Sequence, residues 1–341
     1  MGESFFSLSA ADKRFALRVE GHRLAPTPMI LEKDIWVVWT LRALYSASSR
    51  DVLTFKGGTS LSKVHHAIDR FSEDIDVTVD IRHLVPDLVP ANGPLLPRNG
   101  SQATRWARHI RTALESWIVC EVMPALHAAA ERDHVAVQFI HEGDRVRIAA
   151  DYVSDEGEVA KEVLLEFGGR STGEPHHQHH VRCDLARWRP ELEFPEASVL
   201  TMDAERTFWE KATAVHVFCR QNRLKAARLV RHWFDLVALA NVGVADRAIE
   251  NRTLGREVAL HKKWFFRELD ASGQVIDHVA AVGGKITLVP SSVMRGALAE
   301  DYQRMIDAQM FRTTPPSFDE LMERCGDLAQ RLNAVESLRR C

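Results

Sequence analysis

Two short motifs carry residue types that can handle a phosphate group and its metal ion. The first is Lys56-Gly57-Gly58-Thr59-Ser60 and the second is Asp74-Ile75-Asp76. Glycines without Cβ atoms let a backbone approach phosphate closely, and the N–H groups that open a following helix point at the anion. Two carboxylates that project the same way repel unless a cation lies between them, and their oxygens suit Mg²⁺ or Mn²⁺. The motifs therefore predict a site for a nucleoside triphosphate and its metal ion.

The residues around the two motifs predict the elements that would position them. The run Val52-Leu53-Thr54-Phe55 is short, apolar and β-prone, and it ends at the glycines, which predicts a buried strand. Thr59 can cap a helix that continues to about residue 66, with Lys56 or Lys63 adding a positive charge. From residue 74 to residue 80 polar and apolar side chains alternate, which predicts a strand with Asp74, Asp76, Thr78 and Asp80 on one acidic face.

A third carboxylate on a neighbouring strand would complete a site for two metal ions. Strands are predicted at residues 134–140, 145–151 and 162–167, the first two joined by a turn at residues 142–144. Glu166, in the last of these strands, is the candidate. Two metal ions about 4 Å apart stabilise the attacking and the leaving oxygen of a phosphoryl or nucleotidyl transfer.

The remaining pattern divides the chain into two parts. An amphipathic helix begins at Leu31, residues 84–100 have loop composition, and residues 102–132 are helical with a bend or break at Pro124. After residue 203 the pattern is helical, over residues 203–221, 225–241, 295–308 and 317–335. We predict an α/β (α+β) domain at residues 1–200 and a helical domain at residues 201–341 that completes the active-site cleft, with the boundary near residues 195–203.

Composition excludes several classes of protein. The net charge of -3 gives no overall basic field, so contacts with nucleic acid must come from local patches. The five cysteines include no CxxC pair, which argues against a zinc site or a disulfide framework. Neither a signal peptide nor a membrane-spanning run is present, so we expect a cytoplasmic protein.

The helical part contains further charged residues, each of which can have a structural or a functional role. Lys211 lies beside an apolar stripe, where a lysine is ordinarily a surface residue, but it can instead neutralise phosphate charge. Arg231 and Asp235 are spaced as a surface ion pair. Alternatively Arg228, Arg231 and His232, with Arg223 and Lys225 nearby, form a basic patch for a triphosphate or for RNA.

Two smaller features complete the candidate residues. The stretch His176-His177-Gln178-His179-His180 predicts an exposed turn that leads to a strand, because adjacent histidines do not fix the tetrahedral geometry of a metal site. Ser72 lies two residues before Asp74, on the same predicted strand face. It can touch the nucleotide, carry a modification or merely cap the strand.

Several segments resemble one protein family. The string FKGGTSLSKVHHAIDRFSEDIDVTV resembles the signature of the AbiEii/AbiGii toxin family, nucleotidyltransferases related to the DNA polymerase beta superfamily. EKDIWVVWTLRAL looks like the family's leading helix, and ERTFWEKATAVH and RLVRHWFDLVAL look like its later motifs. The resemblance covers about residues 28–335.

The resemblance implies a polymerase-beta-type domain with a mixed sheet and assigns roles to residues. Gly57, Gly58, Thr59 and Ser60 would bind the triphosphate; Asp74 and Asp76 would ligate Mg²⁺, with Glu166 as the third acidic residue; Lys211 would contact the nucleotide and Asp235 would be the catalytic-site aspartate. The Arg-His pair before Trp-Phe-Asp departs from other members, which leaves open whether Arg231, His232 or Asp235 does chemistry.

The resulting functional hypothesis is transfer of a nucleoside monophosphate from NTP to an acceptor. Family members typically act as toxins with a cognate antitoxin, and some transfer nucleotides to tRNA ends, so RNA is the implied acceptor. Two alternatives use the same site. One is a kinase-like attack on the γ-phosphorus, and the other is a non-catalytic module whose binding is gated by nucleotide.

Overall fold

A computed structural model of the protein describes residues 2–24, 27–47, 49–90, 92–154, 160–222 and 228–334. The chain folds into two compact units. The first consists of Met1–His66, Arg70–Leu95 and Trp106–Met202, and the second of Ala67–Asp69, Leu96–Arg105 and Asp203–Cys341. The named strands all lie in the first unit, and the named elements after Met202 are helices. The predicted α/β class, with a mixed sheet and a mostly helical C-terminal part, is confirmed.

Nine strands are present in the described part of the chain. They are β1 (Glu3–Ser4), β2 (Leu53–Lys56), β3 (Ile75–Val79), β4 (Val137–Glu142), β5 (Arg145–Ala150), β6 (Glu162–Gly168), β7 (His176–Arg182), β8 (Leu192–Glu193) and β9 (Glu196–Met202). Seven form one sheet in the order β4-β5-β6-β3-β2-β9-β7, and β1 pairs with β8. Within the large sheet β3–β6 and β2–β9 are parallel and the other neighbours antiparallel. The strands that carry the predicted site therefore lie at the centre of the sheet.

The helices before Met202 flank the strands in sequence. They are α1 (Ala10–Leu24), α2 (Pro28–Tyr45), α3 (Gly57–Lys63), α4 (Ile81–Leu84), α5 (Gly100–Trp117) and α6 (Met123–Arg132). One π-helical turn, Ile118–Val122, separates α5 from α6, and Pro124 stands in the first turn of α6. The long helical region is therefore divided at Pro124, as predicted, because proline has no N–H to continue the helical hydrogen bonds.

The second unit contains the remaining helices. They are α7 (Ala204–Gln221), α8 (Arg231–Asn241), α9 (Val244–Glu250), α10 (Arg252–Phe265), α11 (His278–Ala280), α12 (Ser292–Asp307) and α13 (Phe318–Ala334). Four of them match predicted helices, whereas α9, α10 and α11 were not predicted. Arg223 and Lys225 of the predicted basic patch lie outside the described residues. No helix in the described ranges is long and apolar enough to cross a membrane.

One segment near the end of the first unit differs from its prediction. The prediction that residues 176–180 form an exposed turn is wrong, because they belong to β7, which pairs along its whole length with β9. As an edge strand β7 buries few side chains, so it lacks the apolar alternation that marks a strand. The boundary was predicted near residues 195–203, and the first unit ends at Met202, where β9 also ends.

The acidic strand is shorter than predicted. β3 ends at Val79, with Ile75, Val77 and Val79 fully buried. Asp80, predicted on the acidic face, instead caps α4, where its carboxylate accepts the Arg82 N–H at 2.8 Å. A carboxylate at this position satisfies a backbone donor that the helix itself leaves unpaired. The acidic face of β3 is therefore confined to its first half.

Helix α2 is buried along most of its length. Every residue from Met29 to Leu41 is buried, including the consecutive charged residues Glu32, Lys33 and Asp34. Buried charges are costly unless they are paired or hydrogen-bonded. The partners of these three residues therefore show which segments the helix holds.

The three charges of α2 bind three different parts of the first unit. The Glu32 carboxylate accepts the backbone N–H groups of residues 153 and 154, at 2.8 and 2.9 Å. Lys33 donates to the Glu73 carboxylate at 2.6 Å, and Asp34 forms an ion pair with Lys63. Glu73 immediately precedes Asp74, and Lys63 ends α3. The helix thus fixes the chain on both sides of the candidate site.

Candidate active site

A row of four charged side chains crosses one face of the sheet. In register, Lys56 of β2 pairs with Asp76 of β3, and Asp76 pairs with Glu166 of β6. Glu166 pairs in turn with Arg145 of β5. Directly paired residues project to the same face with Cβ atoms about 5 Å apart. The carboxylates of Asp76 and Glu166 are therefore neighbours, flanked by a lysine and an arginine.

The flanking cations offset the repulsion within the row. Like charges directly opposite each other on neighbouring strands are destabilising, whereas opposite charges are favourable. Arg145 Nε lies 2.7 Å from Glu166 Oε1. The side chain of Glu166 is 29% exposed, and Asp76 is half-buried. Both carboxylates thus combine a defined position with access to solvent, as a site for a charged ligand requires.

Each glycine of the turn before α3 makes room for a polar side chain. Gly57 has φ +79°, and a Cβ there would lie 2.1 Å from Asp76 Oδ2. A Cβ on Gly58 would lie 2.6 Å from Ser72 Oγ and 2.8 Å from Arg70 Nη2. The glycines therefore bring the backbone of the turn into contact with the acidic strand and with the loop that precedes it.

Replacing Gly57 with alanine is expected to lower both stability and activity. The left-handed φ costs an alanine about 1–2 kcal/mol, and the added Cβ must displace Asp76 Oδ2. Gly273→Ala is the matched control, because Gly273 has φ +80° but nothing within 4 Å of an added Cβ. Urea denaturation should show a loss for both variants, and only Gly57→Ala should reduce nucleotide transfer per folded molecule. Equal activities of the two variants would contradict this expectation.

The hydroxyl groups of Thr59 and Ser60 are used within the fold. α3 begins at Gly57 with Lys56 as its N-cap, so the prediction that Thr59 caps the helix is wrong. Thr59 Oγ1 donates to the carbonyl of Asp74, and Ser60 Oγ donates to the carbonyl of Gly57 at 2.9 Å. Both side chains are buried. Thr59 ties α3 to the residue that precedes β3, and Ser60 bonds within the first turn of α3. The backbone of the turn is therefore the surface offered to a ligand.

The structure adds Arg70 to the residues at the turn. Its side chain is buried, Nη1 donates to the Phe71 carbonyl at 3.0 Å, and Nη2 lies beside Gly58. Ser72 lies at the same place and is half-buried. Residues 65–74 have no periodic pattern, so the sequence marks Arg70 only by its closeness to Ser72 and Asp74.

The carboxylates of the candidate site can bind a divalent cation only if the substrate supplies further ligands. No group of three or more His, Cys, Asp or Glu side chains within the described residues can hold a metal ion. Asp74, Asp76 and Glu166 are therefore not assembled as a three-ligand site. Mg²⁺, however, is usually bound through one or two carboxylates together with water and substrate phosphates. The adjacent carboxylates of Asp76 and Glu166 fit that mode.

The predicted residues of the helical part form a buried ion pair. Lys211 of α7 places Nζ 2.8 Å from Asp235 Oδ2 of α8, and their side chains are 9% and 0% exposed. The interpretation of Lys211 as an ordinary surface lysine is therefore wrong. Arg231 lies at the start of α8 and is half-buried. The sequence pattern correctly places Lys211 off the apolar stripe of α7. It could not reveal that α8 also buries the side of α7 that carries Lys211.

Comparison with known proteins identifies the family of the chain. Residues 39–324 match the family model described as nucleotidyl transferase AbiEii toxin of type IV toxin–antitoxin systems. Among solved structures, MenT4, a nucleotidyltransferase toxin of Mycobacterium tuberculosis H37Rv, is similar at 18% identity and a TM-score of 0.41, over 97% of this chain and 99% of that chain. A search of curated proteins found no match. Because the family model extends from α2 into α13, the chain belongs to the AbiEii family of nucleotidyltransferase toxins.

Proposed function

We propose that this nucleotidyltransferase moves a nucleoside monophosphate from NTP to an RNA acceptor such as tRNA, with Mg²⁺ or Mn²⁺ as cofactor. The observation that carries the proposal is the in-register pairing of Asp76 with Glu166, next to the turn at Gly57. Membership of a toxin–antitoxin family adds a cognate antitoxin as a partner. We expect the reaction to take place in the cytoplasm, where NTP and RNA are available.

The proposed nucleotide site uses the turn that opens α3. The triphosphate would lie against the backbone of Gly57 and Gly58, with Lys56 supplying a positive charge and Ser72 a hydroxyl group. Thr59 and Ser60 would contribute backbone N–H groups, since their hydroxyls are bonded to carbonyls of the fold. The proposal includes Lys211, Arg231 and Asp235 only because they lie in the later motifs of the family.

The carboxylates supply the remaining chemistry. Asp76 and Glu166, together with the substrate phosphates, would hold the divalent cation, which when bound withdraws negative charge from the reacting phosphates. Glu166, oriented by Arg145, would accept the proton of the acceptor hydroxyl. The hydroxyl oxygen then forms a bond to the α-phosphorus, and the bond from that phosphorus to the β-phosphate oxygen breaks. Pyrophosphate leaves with the electron pair.

The direct test supplies purified protein with Mg²⁺, total RNA and each of the four NTPs in turn, labelled at the α- or the γ-phosphate. We expect label in RNA from at least one α-labelled NTP and none from its γ-labelled form. Transfer of γ-label alone would replace the proposal with a phosphotransferase. If no NTP labels RNA, RNA is not the acceptor.

A further inference from the structure

A cavity of about 790 Å³ lies beside the C-terminal end of α2 and is here called the α2–β9 cavity. It is lined by Arg42 and Tyr45 of α2, by Arg50 and Asp51, and by residues of β7 and β9. Tyr45 joins the two sides, since its hydroxyl group donates to the carbonyl of Leu200 in β9 at 3.4 Å. Sites for small ligands have volumes of roughly 300–1,000 Å³. The cavity therefore has room for a ligand larger than a single ion.

The α2–β9 cavity is separate from the candidate active site. Arg50 and Asp51 belong to the short 3₁₀ turn Arg50–Val52, which leads directly into β2. The four residues of β2 span roughly 13 Å and end at the glycine turn. None of the described residues that line the cavity belongs to the carboxylate row or to that turn. A ligand in the cavity is therefore distinct from the NTP of the candidate active site.

Arg42 offers a fixed guanidinium group to the cavity. It lies in the last turn of α2, and its Nη2 donates to the carboxylate of Asp133 at 2.6 Å. The same carboxylate accepts Trp39 Nε1 at 2.8 Å, so the partner of Arg42 is itself held in place. Among the described residues Asp133 is the only hydrogen-bond partner of this guanidinium, and Nε has none. The Arg42 side chain is 30% exposed, so it keeps donors for an anion.

Arg50 adds a second positive charge, and two carboxylates balance the lining. Arg50 Nε lies 3.6 Å from Asp51 Oδ1, which is beyond hydrogen-bond distance. Glu196 also lines the cavity, and its carboxylate is bound by Arg182 Nε at 3.1 Å. The described lining thus carries two arginines and two carboxylates. It suits a ligand with one anionic group and several hydroxyl groups, because the carboxylates repel a polyanion.

The strand side of the cavity presents a side-chain amide. In register, Gln178 of β7 pairs with Leu200 of β9, and Ser198 lies two residues earlier on the same face of β9. Gln178 Nε2 donates to Ser198 Oγ at 2.9 Å, which orients the amide. Its Oε1 and its second N–H remain as an acceptor and a donor side by side. Glutamine uses this arrangement to bind the N6 and N7 edge of adenine.

We propose that the α2–β9 cavity binds adenosine monophosphate, with the phosphate on Arg42 and Arg50 and the adenine base on the Gln178 amide. Arginine binds phosphate through paired N–H donors. The carboxylate of Asp51 accepts the hydroxyl protons of the ribose, because an ionised carboxylate is a hydrogen-bond acceptor only. The single phosphate matches the balanced charge of the lining. This site goes beyond the proposed function, because it involves neither the transfer reaction nor its acceptor.

The test measures binding of AMP to the whole protein by isothermal titration in EDTA, which removes divalent cations from the carboxylate row. We expect AMP to bind about tenfold or more tightly than adenosine or inorganic phosphate, because each of these lacks one half of the contacts. AMP should also bind about tenfold more tightly than GMP, CMP or UMP, owing to the amide contact. ATP should bind more weakly than AMP, in contrast to a triphosphate site.

Three exposed positions of the lining allow variants that should fold normally. Arg50→Gln should weaken AMP binding about tenfold without changing the affinity for adenosine, because it removes a phosphate contact. Gln178→Met should bring the affinities for AMP and GMP to within about twofold of each other. Ser198→Trp fills the cavity and should abolish AMP binding, whereas Ser198→Ala leaves the cavity open and should retain it. Circular dichroism melting checks that each variant is folded.

Two controls assign the binding to the cavity. Arg247→Gln changes an arginine that is 56% exposed, against 62% for Arg50, and it should leave AMP affinity within about twofold of the original. Asp76→Asn alters the carboxylate row and should leave AMP affinity unchanged. Binding that is lost in Asp76→Asn but kept in Ser198→Trp would place AMP at the active site and overturn the proposal. So would equal affinities for AMP and adenosine, or no binding of AMP. Nucleotide transfer is not measured, so failure of the proposed function is a separate result.

Discussion

Replacing Asp76 with asparagine is expected to lower nucleotide transfer by about a thousandfold or more, or roughly 4 kcal/mol in the barrier. Asparagine keeps the size of the side chain beside Gly57 but removes one negative charge from the row. The remaining carboxylate, Glu166, already has Arg145 as a partner at 2.7 Å. The variant should therefore stay folded while it loses affinity for the divalent cation. Single-turnover transfer and isothermal titration with Mn²⁺ measure the two effects separately.

Glu142→Gln provides the control for charge in the same sheet. Glu142 pairs in register with Arg145 and forms an ion pair with Arg147 at 2.5 Å, so it lies next to the row, just beyond its outer end at Arg145. Its side chain is 56% exposed, and its removal should change transfer by less than about threefold. If Asp76→Asn retained a tenth of the original rate, Asp76 would not be a ligand or a catalytic group.

The second large effect is expected at the buried ion pair of the helical unit. Lys211→Met leaves the carboxylate of Asp235 fully buried without its lysine, and breaking a buried pair in this way costs about 3–5 kcal/mol. Lys211→Met/Asp235→Asn removes both charges and should recover much of that loss. Urea denaturation, followed by fluorescence, measures the difference in the free energy of unfolding between the single and the double variant.

The same two variants distinguish a structural lysine from a catalytic one. If Lys211 also contacts the nucleotide, the double variant regains stability but its rate of transfer stays low, because no cation returns to the site. Recovery of both stability and rate would mean that the pair serves only to join α7 to α8. The rate must be measured well below the melting temperature, so that unfolded protein does not contribute.

The sequence predicted the local parts of the site well because their signals are local. The apolar run of β2, the two glycines and the alternation of β3 each depend on neighbouring residues, and all three elements are present. That Asp76 stands beside Glu166 depends on the pairing of β3 with β6, which are distant in sequence. The choice of Glu166 came from its residue type and from the family resemblance. Its register could come only from the fold.

Other features had no sequence signal of the usual kind. β7 is an edge strand with a polar surface, so it has no apolar periodicity. Lys211 lies off the apolar stripe of α7, yet α8 buries it and supplies Asp235 as its partner. Arg70 stands in an irregular loop, where burial depends on tertiary contacts. In each case a segment far away in the sequence decides the environment of the residue.

The burial of α2 has a consequence for the way in which the first unit unfolds. Its residues from Met29 to Leu41 have no face exposed to solvent. Its charged residues bind Glu73, just before Asp74, and Lys63, at the end of α3. A helix enclosed in this way cannot melt separately from the sheet, because its buried charges would lose their partners together. The glycine turn and the acidic strand should therefore share one cooperative transition. Amide hydrogens of α2, β2 and β3 would exchange with the same free energy of opening, and no partly unfolded form would keep half of the site.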